Sequence, residues 1–126
     1  MKERPTNRSF LTLLDIQYTL SSFVSVLHRV TGILLLGVVV WLLYNFVGLF
    51  DTQQKFNFII SKFTTMEYKI GLVFSLSIFV FHIVAGCRHM FMDSGFFEEM
   101  KQANLTAFFV LCVSFVYFVI IGYFLW

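Results

Sequence analysis

The chain has 126 residues, 59% of them hydrophobic and 13% charged, with 18 Phe and a formal net charge of +2. A soluble domain carries about a quarter charged residues, and a small one has the most surface to cover for its volume. The composition therefore excludes a soluble enzyme, a nucleic-acid binder and a disordered linker, and the charge is too small to point to a polyanionic partner. The N-terminus is charged (Lys2, Glu3, Arg4, Arg8), and the apolar stretch after it is too long for a signal-peptide core and lacks a small-residue cleavage site, so nothing is read as removed. Ser9–Leu20 mixes apolar and polar residues, and residues 1–22 are expected to lie along the inner membrane surface. Spanning roughly 30 Å of hydrocarbon takes about 20 apolar residues in a helix. Three stretches qualify: about residues 23–50, 68–92 and 105–126. Asp51–Glu67, with Gln53, Gln54, Lys55, Asn57 and Lys62, reads as the first loop, and Asp93–Asn104, with Glu98, Glu99 and Lys101, as the second.

Three spans must be helices, because an open sheet edge does not survive in lipid. The expected fold is an all-α membrane protein with three transmembrane helices, a single membrane-anchor domain over residues 1–126. Lys2, Arg4, Arg8, Arg29, Arg88 and Lys101 lie on one side, and Lys55, Lys62 and Lys69 on the other. That asymmetry puts the N-terminus inside and the C-terminus outside. Trp41, Tyr44, Tyr68, Tyr123 and Trp126 then fall near the outer ends, as an aromatic belt would. Phe108, Phe109, Phe115, Phe118 and Phe124 of the third span read as lipid-facing surface. Cys87 and Cys112 both lie in apolar runs, with no C-x-x-C pair and no C-x-x-C-H, which excludes a zinc ribbon, thioredoxin-like chemistry and covalent haem attachment.

Charged and ionisable groups inside a span are costly, so each is a candidate site. In the first cluster, Ser25, His28 and Arg29 stand at i, i+3 and i+4, on one face near the inner end of the first span. A hydroxyl, an imidazole and a guanidinium together suit an anionic or carbonyl-bearing ligand. The alternative is that Arg29 snorkels to lipid phosphates and His28 is interfacial. In the second cluster, His82, Gly86, His89 and Asp93 fall in a narrow stripe, while Arg88 points towards another neighbour or the headgroups. His82 lies roughly 10 Å deeper than His89. A neutral imidazole at that depth needs a partner for both ring nitrogens. Either a metal supplies one, or a Ser or a backbone carbonyl of a neighbouring helix does. Gly86 either admits a flat macrocycle or is a packing glycine. Asp93 either pairs with Arg29 or Arg88, passes protons to a bound molecule, or merely ends its helix. Haem b in a membrane is commonly held by two His on facing helices, and if haem is bound here, one deep His makes half of such a site. The other half then belongs to another polypeptide.

At these clusters the sequence resembles the cytochrome b-type large membrane-anchor subunit of succinate dehydrogenase (respiratory complex II). The residues that carry the resemblance are Arg4-Pro5, then Ser25-x-x-His28-Arg29-x-Thr31, then His82-x-x-x-Gly86-x-Arg88-His89 followed by Asp93-x-Gly95. Cys87 stands where the family usually has an aliphatic residue. The resemblance implies that His82 is an axial haem b ligand, with the second axial His from a small membrane-anchor subunit. It implies that His28 and Arg29 lie near the haem propionates. Ser25, Arg29 and Asp93 would serve the quinone site, completed by the small anchor and the iron–sulfur subunit. It also implies docking of the iron–sulfur and flavoprotein subunits on the inner face, so that quinone is reduced here while succinate is oxidised elsewhere. A bacterial inner membrane is favoured over a mitochondrial one, since no transit peptide is evident. Two alternatives are kept: the anchor of a related fumarate reductase, and a haem-free structural or assembly subunit in which His82 only packs.

Overall fold

The computed structural model describes residues 19–97 and 99–126. The expected surface segment before Thr19, with Lys2, Arg4, Pro5 and Arg8, lies outside the described residues, as does Glu98. The described chain is helical: α1 (Leu20–Leu49), α2 (Gln53–Lys62), α3 (Met66–Asp93) and α4 (Met100–Leu125). Three of them, α1, α3 and α4, are long and apolar enough to cross a membrane. They run up, down and up, so α1 begins, α3 ends and α4 begins at one end of the bundle, here the histidine end. Each begins or ends within a few residues of its expected bounds, except that α4 starts five residues before the apolar run, at Met100.

Local chemistry sets these limits. Thr19 caps α1, its Oγ1 accepting from the Ser22 backbone N–H at 3.3 Å. Gly95 ends α3 with a φ of 86°, a left-handed conformation that a side chain disfavours. Around it, the Phe96 N–H donates to the Phe91 carbonyl (3.1 Å) and the Gly95 N–H to the Met92 carbonyl (3.0 Å), a Schellman closure. This accounts physically for the glycine two residues after Asp93.

The short α2 falls in the stretch read from sequence as a loop. Thr52 caps it by accepting from the Lys55 N–H at 3.2 Å, Asp51 and Lys55 form an ion pair one turn apart, and Gln53 donates to Asn57 at 3.2 Å. The same ion pair holds the Lys55 pKa above its ordinary value. Its single buried residue, Ile59, lies against α1 at Gly48, where a Cβ would come within 2.6 Å of Ile59 Cδ1. The missing side chain at Gly48 lets α2 fold back on α1.

Helix α3 is the central element, packing on both α1 and α4. The core is small: Val24, Phe81, Ala85, Ala107 and Val110, with Ala85 and Ala107 fully buried. Small residues at these crossings allow close backbone approach, which is how helices associate where lipid removes the hydrophobic drive. The rest of the apolar surface faces outward, including Phe108, Phe109, Phe115, Phe118 and Phe124 on α4. At the end opposite the histidines, the Tyr68 hydroxyl donates to the buried Asn45 side chain, whose Nδ2 donates to the Trp41 carbonyl at 2.7 Å. Tyr68 also lies 5.3 Å from the Trp41 ring. These aromatics therefore tie α1 to α3.

Candidate functional site: a histidine cluster between α1 and α3

The sequence placed one deep imidazole apart from two near the membrane edge. The structure joins all three. The His28 and His82 rings stack with centroids 4.1 Å apart and planes 18° from parallel. The His89 ring lies 5.1 Å from that of His28, tilted by 49°. His28 sits opposite Gly86, so it falls between the two histidines of α3 and reaches one of them with its face.

Two glycines make this contact reciprocal. A Cβ on Gly86 of α3 would stand 3.2 Å from His28 Nε2, and a Cβ on Gly32 of α1 would stand 3.1 Å from His82 Cε1. Each imidazole thus occupies space left by a glycine one turn beyond the other. In the chain alone, the ring of His28 takes the place over Gly86 that the sequence reading offered to a macrocycle. We expect Gly32→Ala and Gly86→Ala each to displace the facing ring by a few tenths of an ångström. In histidine ring NMR spectra of the labelled protein, the first should shift His82 and the second His28. Unchanged shifts in both would show that the rings are not seated this way.

His82 has one partner within its own chain. Its Nδ1 lies 3.1 Å from Thr31 Oγ1, and that hydroxyl donates to the His28 carbonyl at 2.9 Å. Among the described residues, His82 Nε2 has no hydrogen-bond partner. One ring nitrogen is therefore satisfied by a neighbouring helix, as the packing alternative required. Nothing in the sequence marked Thr31 beyond its place in the motif.

Ser25 is half-buried and its hydroxyl donates to the Ser21 carbonyl at 3.1 Å, leaving its oxygen free to accept. Arg29 and Asp93 are exposed at the histidine end. The offered pairing of Asp93 with Arg29 or Arg88 is not formed; among the described residues the ion pair is Asp51–Lys55.

Arg88 turns to neighbouring helices, the first of its two expected choices. It is buried, and its guanidinium donates to Ser21 Oγ (2.6 Å), the Ala103 carbonyl (2.9 Å) and Thr106 Oγ1 (3.1 Å). These groups come from α1 and α4, so one side chain of α3 binds all three spans. Nearby, Asn104 of α4 accepts from the Ser21 N–H at 3.2 Å. Arg88 is thus a bundle residue. The signal was available: an arginine followed by a histidine inside a span needs neutral acceptors on its neighbours, and Ser21 and Thr106 are such acceptors.

The family described as succinate dehydrogenase/fumarate reductase transmembrane subunit matches residues 1–121. The chain belongs to this family. It is 34% identical over 113 residues to the succinate dehydrogenase cytochrome b556 subunit of Rickettsia bellii, covering 89% of this chain and 85% of that one. It is 27% identical over 125 residues to the b556 subunit of Coxiella burnetii, covering 98% of both. It is 28% identical over 116 residues to the succinate dehydrogenase cytochrome b560 subunit of Reclinomonas americana, covering 85% of this chain and 76% of that one. Membership and three apolar helices together make this transmembrane subunit a multi-pass membrane protein.

Proposed function

We propose that this transmembrane subunit is the haem b-binding anchor of a succinate:quinone oxidoreductase, in a bacterial inner membrane with the histidine end inside. The observation that carries this reading is His82: an imidazole deep in a span, with Nδ1 bound to Thr31 and Nε2 unpartnered among the described residues. That donor set fits iron, because an axial histidine coordinates through one nitrogen while a second group holds the other. The names of its relatives, all cytochrome b subunits, support the same reading. The second axial histidine comes from a small membrane-anchor subunit, and His28 and Arg29 lie near enough to this end to meet the haem propionates. When bound, haem b supplies a one-electron reservoir beside the quinone. A flavoprotein subunit oxidises succinate, and an iron–sulfur subunit delivers the electrons to this end.

The chain's own residues position the quinone. Ser25 Oγ, already donating to the Ser21 carbonyl, has lone pairs to accept with and can turn to donate to a quinone oxygen. Arg29 is exposed and cationic, suited to hold negative charge as that oxygen is reduced. Asp93, exposed one turn beyond His89, delivers protons there. Ser25→Ala and Arg29→Ala should each lower quinone reduction by about 10²-fold, as loss of a charge-stabilising donor does. Succinate oxidation by an artificial acceptor should continue at the wild-type rate. Equal loss of both activities would instead mean failed assembly.

A second reading has one observation in its favour: Thr31 satisfies His82 Nδ1 within the chain, so a haem-free anchor could pack this ring. A reduced-minus-oxidised spectrum of the purified complex decides between them. A b-type α band supports the haem reading, and its absence overturns it.

A further inference from the structure

We infer that Thr31 is a positioning residue that fixes the tautomer of His82, so that its Nε2 presents a lone pair to iron; this rests on the haem reading above. The argument is one of counting hydrogens. The Thr31 hydroxyl has a single hydrogen, and it is engaged with the His28 carbonyl at 2.9 Å, an oxygen that can only accept. Towards His82, 3.1 Å away, the same oxygen can therefore only accept. Nδ1 must then carry the ring hydrogen, and since a neutral imidazole has one N–H, Nε2 is left with its lone pair. The opposite tautomer would require Thr31 to release the His28 carbonyl and turn its hydrogen to Nδ1.

The neighbours of Thr31 restrain the ring as well. His28 stacks on its face at 4.1 Å, and Gly32 leaves the room that Cε1 fills. Within one turn and a half of α1, His28, Thr31 and Gly32 thus stack against, bond to and make space for one imidazole of α3. The seat is complete in this chain before any partner arrives. A hydrogen bond to Nδ1–H also makes Nε2 a better electron donor, which favours ferric over ferrous iron.

The test compares the wild-type complex with Thr31→Val, which keeps the shape and removes the hydroxyl, and Thr31→Ser, which keeps the hydroxyl. Haem retention is measured by transfer to a haem-scavenging apoprotein, and the haem midpoint potential by redox titration. Thr31→Val should weaken haem retention by about 10- to 100-fold, the usual effect of losing such a supporting group, and raise the midpoint potential. Thr31→Ser should stay close to wild type in both. If Thr31→Val matches wild type in retention and potential while His82→Ala loses the haem, the inference fails and the haem reading stands. If the wild-type complex holds no b-type haem, both fail.

Discussion

His82→Ala is expected to abolish the b-type α band of the purified complex, reducing its amplitude to near zero. On the proposed reading the substitution removes one of two axial imidazoles. It also leaves a ring-sized gap beside Gly32 and takes away the surface on which His28 stacks. His28→Ala and His89→Ala are the controls. Neither removes Nε2 of His82 or its bond to Thr31 Oγ1, so the band should persist in both. A band lost only with His28 or His89 would move the ligand to that residue.

Arg88→Leu is expected to have the largest effect on stability. The guanidinium makes three hydrogen bonds that link α3 to α1 and α4. Hydrogen bonds to charged groups contribute about 1.5–3 kcal/mol each, and the Ala103 carbonyl and Thr106 hydroxyl would lose a buried partner. A loss of about 3 kcal/mol or more is expected, read as a lowered Tm of the detergent-purified complex and reduced accumulation in the membrane. Ser21→Ala removes one contact of the guanidinium and should cost about 1 kcal/mol, and Thr106→Val, which also loses the bond from Thr106 Oγ1 to the Ala103 carbonyl, about 1–2 kcal/mol. Arg88→Lys keeps the charge without the planar fork and should fall between these and Arg88→Leu. A wild-type Tm for Arg88→Leu would mean that this residue does not tie the bundle together.

The three spans were legible because runs of about 20 apolar residues have one stable form in lipid. Helix α2 was not, since its Phe56, Phe58 and Ile59 are scattered among polar residues and its stability comes from the Thr52 cap and from contact with Gly48. Such a contact depends on where α1 ends in space. The same limit applies to the site. Spacing along one helix put His82, His89 and Asp93 in a stripe, and Ser25, His28 and Arg29 on a face. It carried no information on the register between α1 and α3, which sets His28 against His82 and brings Thr31 to its Nδ1. Arg88 shows the reverse case. Its direction away from the histidine stripe was readable from the helical angle, but its acceptors lie on helices 67 and 18 residues away in sequence.

Gly95, Gly32 and Gly86 have separate physical causes. Gly95 has a left-handed backbone that closes α3. Gly32 and Gly86 have ordinary helical backbones and are needed for the space beside them. An alanine at Gly95 strains the turn, whereas an alanine at either of the others pushes an imidazole.

The most direct measurement is low-temperature EPR of the oxidised complex carrying His82→Ala, before and after addition of haem b together with free imidazole. The account predicts that the low-spin ferric signal of the wild type is lost and that imidazole, filling the gap beside Gly32, restores it. A wild-type low-spin signal in His82→Ala without added imidazole would contradict it.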